Sequence, residues 1–404
     1  MTEQDLKTYF DNISLDARNF NDARSMDQKC TPDVLSAVSE CVLEFSKNDN
    51  DKEFTKSDIW NFDYSKQLIP DIFSKPGTDE QSAEKEYDKF FSQPCKLWSY
   101  AGVLDVKKVG GENVYRIKKR NILDYISKRE RNALFFLEAY ANKLVDDNGL
   151  RLSFDRFFTS QDTTALRNLM RDIKLFYYAR TNVKNEFEPS RIFNKILNIL
   201  AFQRKAKGET RGVVSKRIIT IDDLRYNQVN WRDIDKDKSM TRQQYAETIM
   251  NQVESESKTG LFNYRVKKAI DLVKQIEPYS ETHRFPAYPA QYAHHIFMKS
   301  QFPEIADYIE NLIVLTPNQH YGYAHPQGDT HVINQDYQIV CLLCKLESIE
   351  INRRNGLDDY SLEDFIKVLN IGLDTDVFNP QMSYEEVKYG IIKNAYYHEA
   401  LSLR

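Results

Sequence analysis

The sequence predicts a mostly helical α+β protein with more than one domain. Apolar residues recur at helical spacing through most of the chain, whereas the short alternating runs that favour strands are few. A length of 404 residues suffices for two or three domains, each with its own core. Hydrophobic residues make up 41% and charged residues 29%, which is typical of folded chains and not of disordered ones.

Composition also narrows the classes of protein. No run of about 18 apolar residues occurs, so we expect no membrane span. The acidic, polar start MTEQDLKTYFDNISLD is not typical of a secretory signal. Five scattered cysteines do not resemble a disulfide framework, and a reducing cytoplasm is the expected compartment. The 56 basic and 60 acidic side chains give a net charge of −4, which neither requires nor excludes a nucleic-acid partner.

The first segment, residues 1–125, is predicted to contain several helices and then a β-hairpin. Thr31 and Pro32 form a helix-start signal, and two alternating runs flank the turn Gly110-Gly111. This order resembles a winged-helix domain, which implies DNA recognition; docking of a protein is the alternative. Wings commonly touch phosphates. The basic residues expected to do so are Lys107, Lys108 and Arg116.

Residues 126–280 are predicted to form a helical middle domain with a basic, flexible loop. Nine basic and three acidic residues lie between Lys184 and Arg217, and Gly208 and Gly212 favour a loop that follows a DNA backbone. A solvated charged loop is the alternative. The candidate phosphate contacts are Arg204, Lys205, Lys207, Arg211, Lys216 and Arg217. Three prolines between 277 and 289 indicate a linker into the last part of the chain.

All seven histidines follow position 282, and six of them lie between 283 and 331. We expect His294-His295 on one short strand, residues 293–297, and residues 312–315 on a second. Thr316 and Pro317 predict a helix start with His320 in its first turn. Adjacent strand residues point to opposite faces, so one histidine can bind a metal ion while its neighbour acts as a general base. A single buried histidine is more often only a core residue.

This pattern resembles the HNH nuclease family, whose fold is the ββα-metal fold. The likeness consists of His-His, then Asn311-Leu312-Ile313 after 16 positions, then a helical histidine nine positions later. It implies a nuclease core over 281–335, followed by a helical segment, 336–404. By the resemblance, His294 and His320 are metal ligands, His295 is the general base, and Asn311 orients the loop between the strands.

Two features depart from the family pattern. His325 would be the second helical ligand, but it lies five positions after His320. Five positions correspond to about 140° on an α-helix, whereas four correspond to about 40°. His331 is therefore the alternative ligand. Only one CxxC pair, Cys341 and Cys344, is present; it cannot complete a four-thiolate zinc site, and we interpret it as part of a buried helix face.

These features favour a type II restriction endonuclease that hydrolyses double-stranded DNA at specific sequences. The expected cofactor is a divalent ion, with Mg²⁺ first and Mn²⁺, Ni²⁺ or Zn²⁺ as alternatives. The expected partners are double-stranded DNA and a companion DNA methyltransferase, and the protein could form a homodimer. The alternatives are a modification-dependent or phage-defence HNH nuclease, and a winged-helix regulator with a degenerate HNH segment.

Overall fold

The protein is a mostly helical α+β chain, as predicted, with three small antiparallel sheets among its described residues. The computed structural model describes residues 1–20, 25–47, 49, 51–73, 84–185, 187–226, 260–285, 287–325 and 333–402. The chain divides into two compact units, Glu3–Leu261 and Phe262–Arg404.

The first half of the N-terminal unit combines helices with a three-stranded sheet in the order β1-β3-β2. Its elements are α1 (Glu3–Asp11), α2 (Pro32–Phe45), β1 (Glu53–Phe54), α3 (Lys56–Asn61), α4 (Asp63–Phe73), α5 (Glu84–Tyr100), β2 (Leu104–Val109) and β3 (Glu112–Ile117).

Local sequence signals account for most of these elements. Thr31 is the N-cap residue of α2, and Pro32 is its first residue, as the pattern predicts. Gly110 and Gly111 both have positive φ, which matches a tight turn between twisted strands. Helix α5 continues through Pro94.

The second half of the N-terminal unit is helical with one further hairpin. Its elements are α6 (Arg120–Lys128), α7 (Glu130–Asp147), α8 (Arg151–Ser160), α9 (Thr163–Arg180), α10 (Phe187–Gln203), β4 (Lys207–Thr210), β5 (Val213–Ile218) and α11 (Ile221–Leu224). Because α2 packs against both α6 and α7, the segments 1–125 and 126–261 lie in one unit.

The basic stretch after α10 is a β-hairpin, so our prediction of a flexible loop there is wrong. Thr210 pairs with Val213, and the two residues between them, Arg211 and Gly212, have φ of 53° and 85°. Two successive positive φ values are the geometry that a two-residue hairpin turn requires. Glycine spacing alone could not distinguish this turn from a loop.

The C-terminal unit places a two-stranded sheet among helices. Its elements are α12 (260–276), β6 (Tyr292–His295), β7 (Leu312–Leu315), a π-helix (Gln319–Ala324), α13 (Gln335–Arg354), α14 (Leu362–Gly372) and α15 (Tyr384–Ser402). All four residues of β7 are buried, in a core that α12, α13 and α14 share. The segments 281–335 and 336–404 therefore lie in one unit.

Within the described part of the chain, no helix combines the length and the apolar character that crossing a membrane requires.

Candidate metal centre

The two strands of the C-terminal unit orient the paired histidines in opposite directions. His294 lies opposite Ile313 and His295 lies opposite Leu312 in the antiparallel register of β6 and β7. Side chains alternate between the two faces of a strand. His294 therefore faces the π-helix, where it contacts His320, whereas His295 faces the connection between the strands.

A π-helix brings His325 to the same place as His320. The His325 N–H donates to the carbonyl of His320 at 3.1 Å, which is an i→i+5 hydrogen bond. The hydrogen bonds of a π-helix span five positions, whereas those of an α-helix span four, so His325 returns to the side of His320. The angular argument against His325 assumed an α-helix and is wrong for that reason. His331, the alternative ligand, lies outside the described residues.

Three imidazoles converge at this point. The ring centroids of His294 and His325, and those of His320 and His325, are each 4.8 Å apart, and those of His294 and His320 are 5.4 Å apart. One ligand nitrogen from each ring lies within 4.8 Å of the others. In a tetrahedral site with bonds of about 2.1 Å, two ligand nitrogens stand roughly 3.4 Å apart, so a separation of 4.8 Å must shorten by about 1.4 Å through inward rotation of the rings.

The surroundings keep the imidazoles of His294 and His320 neutral. Burial, together with the neighbouring histidines, lowers the pKa of His294 to about 3. Burial and the nearby His325 lower the pKa of His320 to about 4. A neutral imidazole offers a nitrogen lone pair, which a metal ion needs and which the protonated form lacks.

The arrangement fits a metal ion on two independent grounds. The Nδ1 of His320 is buried and has no hydrogen-bond partner, and leaving such an atom unsatisfied costs about 1–3 kcal/mol. Three histidines with one open position are also a known ligand set for catalytic zinc. Among the described residues, this is the only group of three or more histidine, cysteine or acidic side chains that can share an ion.

His295 lies on the opposite face and makes a different contact. Its Nε2 is 3.0 Å from the carbonyl oxygen of Ala306. Because a carbonyl oxygen only accepts, Nε2 carries the hydrogen and the neutral ring keeps its lone pair on Nδ1. Burial lowers the pKa of His295, so this neutral form is favoured.

Asn311 ties the connection between the strands. Its Oδ1 accepts from the N–H of Phe297 at 2.9 Å, and its Nδ2 donates to the carbonyls of Phe297 and Ile305 at 3.0 and 3.2 Å. The side chain is completely buried. Since Ile305 precedes Ala306, Asn311 also holds the segment whose carbonyl orients His295.

A buried ion pair supports β7, and the sequence reasoning missed it. Lys345 and Glu281 are both 0% exposed at their side chains and lie 2.8 Å apart. The N–H of Val314 donates to the Glu281 carboxylate at 3.0 Å, and the N–H of Glu281 donates to the Val314 carbonyl at 3.1 Å. A signal for it existed: Lys345 lies four positions after Cys341, on the helix face that we predicted to be buried.

Gln319 fixes the start of the π-helix. Its Oε1 accepts from the N–H of Thr316 at 2.8 Å and from the hydroxyl of Ser280 at 2.7 Å. Its Nε2 donates to the hydroxyl of Thr282 at 2.7 Å. The segment 280–282 therefore positions both β7, through Glu281, and the turn that carries His320.

The basic residues predicted on the wing lie on the hairpin β2–β3 of the N-terminal unit. Lys107 pairs with Glu53 at 2.6 Å and Arg116 with Asp105 at 3.3 Å, whereas Lys108 is exposed. The structure places none of the wing cations in the unit that holds the histidine cluster.

The other predicted basic residues lie on or beside the hairpin β4–β5. Arg204 pairs with Asp155 at 3.0 Å and lies over the ring of Phe158, and Arg217 pairs with Asp223 at 2.9 Å. Four further cations are exposed and belong to none of the ion pairs among the described residues: Lys205, Lys207, Arg211 and Lys216.

The CxxC pair does not contribute to the metal centre. Cys341 is buried and Cys344 is half-buried on α13, and neither belongs to the histidine group. Burial raises the pKa of Cys344 to about 11, so this thiol stays protonated at neutral pH.

Comparison of the chain with known proteins finds no matching family model, no matching curated protein and no matching solved structure.

Proposed function

We propose that the chain is an HNH-type, metal-dependent endonuclease that hydrolyses phosphodiester bonds of double-stranded DNA. One observation carries this proposal: His294, His320 and His325 converge on one face of a strand, while His295, on the other face, keeps a free Nδ1. The side chain of Asn311 donates a hydrogen bond to Ile305, in the loop that orients His295. These residue types supply the neutral base and the bound cation that hydrolysis of a phosphodiester needs.

The roles of the residues follow from this geometry. Nδ1 of His295 accepts a proton from water, whose oxygen attacks phosphorus in line while the bond to the 3′ oxygen breaks. The products are a 5′-phosphate and a 3′-hydroxyl, because the leaving oxygen takes up a proton. The carbonyl of Ala306 fixes the His295 tautomer throughout.

His294, His320 and His325 would hold one divalent ion, which supplies electrostatic stabilisation of the leaving oxygen. The described cluster contains imidazoles and no carboxylate. Imidazole ligands suit Zn²⁺, Ni²⁺ and related ions better than Mg²⁺, which prefers oxygen. We therefore propose that the ion is a transition metal; Mg²⁺ would require water and phosphate oxygens to complete its shell.

The exposed cations of the N-terminal unit support a DNA partner. Four exposed cations lie on or beside the hairpin β4–β5: Lys205, Lys207, Arg211 and Lys216. DNA phosphates attract such groups without regard to sequence. The element order from α2 to β3, with β1 added beside β3, also supports a winged-helix module for target recognition. A sequence-specific enzyme of this kind requires a companion methyltransferase to protect host DNA.

Cleavage of DNA by the purified full chain tests the proposal. Unmethylated plasmid and phage DNA are incubated with Mn²⁺, Ni²⁺, Zn²⁺ or Mg²⁺, and with chelator. We expect discrete fragments with at least one ion, none with chelator, and none from His295→Ala. His283→Ala is the matched control, since this histidine contacts Tyr288 and lies outside the cluster. Intact DNA under every metal would contradict the proposal and favour a regulator without catalysis.

Methylated substrate distinguishes the two kinds of nuclease. A restriction enzyme should cut unmethylated DNA and spare DNA that carries the companion modification. Cutting of modified DNA alone would instead identify a modification-dependent nuclease. Sequencing of the cut ends would then define the recognition site.

A further inference from the structure

Exposed aromatic rings are concentrated in the part of the C-terminal unit that surrounds the histidine cluster. Seven aromatic side chains among the described residues are exposed, and two of them, Phe187 and Tyr389, lie elsewhere in the chain. The other five lie within 45 residues of sequence: Tyr279, Phe285, Tyr288, Tyr321 and Tyr323. Large exposed rings are costly to hydrate, so such a concentration indicates a contact surface.

Two of these rings lie, in the sequence, between the candidate metal ligands His320 and His325. Tyr321 and Tyr323 belong to the π-helix that runs from His320 to His325, and they are 43% and 59% exposed. Tyr321 contacts the ring of His320 edge-on at 4.6 Å. Tyr323 stacks on Tyr337 at 5.6 Å, with an interplanar angle of 27°. Residues two positions apart on such a helix point to nearly opposite sides, so Tyr321, which touches a ligand ring, is the one beside the cluster.

The turn that carries the other exposed rings is hydrogen-bonded to the start of the π-helix. Tyr288 and Ser280 are joined by a backbone hydrogen bond of 2.9 Å, and Gln319 bonds to Thr282 in the same turn. The one arginine of this turn, Arg284, is occupied by Glu347, the carbonyl of Cys344 and Ser348. The groups of this turn that a ligand can contact are therefore aromatic rings, because the guanidinium of Arg284 is already bonded.

We propose that the ring of Tyr321 is a stacking surface for an unpaired base of the DNA, next to the phosphate that is cut. This inference rests on the proposed nuclease function, because an ion held by the three histidines is what would bring a phosphate to this ring. Every base has a π-face, and aromatic side chains bind unpaired bases by stacking on them. In a duplex the same bases are stacked on each other, so the site requires a base that has left the helix.

Binding of single-stranded DNA tests this surface directly. A fluorescein-labelled 12-nucleotide strand is titrated with the full chain in a His295→Ala background, which prevents cutting. Tyr321→Leu should weaken binding roughly tenfold or more, because stacking on one base accounts for about 1–3 kcal/mol. Tyr321→Phe keeps the ring and should stay within about twofold. Phe187→Leu is the control for loss of a distant exposed ring.

Salt dependence separates stacking from charge. Tyr321→Leu removes no charge, so the plot of log affinity against log salt should shift without a change of slope. In the active chain, a duplex with one unpaired base at a mapped cut site should be cut faster than the paired duplex, and Tyr321→Leu should remove that preference. Circular dichroism checks that the variants are folded.

The outcomes distinguish this inference from the function on which it rests. Unchanged binding and unchanged preference in Tyr321→Leu, or an equal loss in Tyr321→Phe, would overturn the stacking surface while cleavage stands. Tyrosine-dependent binding without any cleavage would support the surface and contradict the nuclease proposal. Failure of the chain to bind single-stranded DNA at all would overturn the surface.

Discussion

The hairpins β2–β3 and β6–β7 have the same antiparallel pairing but opposite surroundings. In β2 every residue from Val106 onward is exposed, and the cations Lys107 and Arg116 pair with acids in water. In β7 every residue is buried, and the charges beside it, Glu281 and Lys345, are completely hidden. Exposed ion pairs contribute about 0–1 kcal/mol, whereas breaking a buried pair costs about 3–5 kcal/mol.

The first hairpin therefore carries exposed charges, whereas the second carries imidazoles on a buried framework. The exposed hairpin offers charges whose exact positions matter little, since a phosphate backbone responds to them over about 10 Å. The buried hairpin must hold imidazoles within tenths of an ångström, because a metal ion and a proton acceptor act only at bonding distance. We therefore expect substitutions at the second hairpin to cost far more than matched ones at the first.

The largest effect is expected for the buried pair. Lys345→Met leaves the Glu281 carboxylate buried without a cation, so the free energy of unfolding should fall by about 3–5 kcal/mol. The matched exposed change, Lys107→Met, should cost less than about 1 kcal/mol. Urea titrations followed by circular dichroism measure both values.

A double substitution sharpens this prediction. Glu281→Gln combined with Lys345→Met removes both charges and should be less destabilising than Lys345→Met alone. Equal losses for Lys345→Met and Lys107→Met would show that the two hairpins do not differ in this respect.

Asn311 provides the second test. Asn311→Ala leaves the N–H and the carbonyl of Phe297 buried without partners, while the Ile305 carbonyl still accepts from Tyr308, and we expect a loss of about 2–4 kcal/mol. Hydrogen exchange at the Phe297 amide should accelerate markedly. Asn113→Ala on the exposed hairpin removes one 3.3 Å contact to Tyr115 and should cost under about 1 kcal/mol. Unchanged protection of the Phe297 amide would contradict the role of Asn311.

The sequence could predict the local elements because their signals are local. Thr31-Pro32 and the turn Gly110-Gly111 each determine a backbone geometry within a few residues. The strands at 292–295 and 312–315 were predictable from alternation and apolar runs, as was the neighbourhood of His320.

The rest depends on contacts that are distant in sequence. No residue near His325 signals a π-helix. The start of that helix is fixed by Gln319, which bonds to Ser280 and Thr282 from a distant part of the sequence. The same holds for the Glu281–Lys345 pair, whose members are 64 positions apart. Propensity describes neighbours along the chain, so it could suggest the ligands but not the turn that brings them together.

A smaller effect is expected for the exposed cations that join no ion pair within the described part of the chain. Lys207→Gln, Arg211→Gln and Lys216→Gln should each reduce the salt dependence of duplex binding, by up to about 0.9 in the slope of log affinity against log salt. Lys107→Gln and Arg116→Gln should change it less, because Glu53 and Asp105 already neutralise these cations. Anisotropy titrations at several salt concentrations give the slopes, and a larger change on the β2–β3 hairpin would reverse the comparison.

Metal binding tests the central claim most directly. Equilibrium dialysis of the full chain against Zn²⁺ or Co²⁺ should give one ion per chain, and His325→Ala should lower the affinity by more than about 100-fold, beyond the 10–100-fold typical of residues behind the ligands. His295→Ala, on the opposite face, should leave the affinity within about threefold. If His325→Ala binds the ion as tightly as the unaltered chain, the three converging imidazoles are not a metal centre.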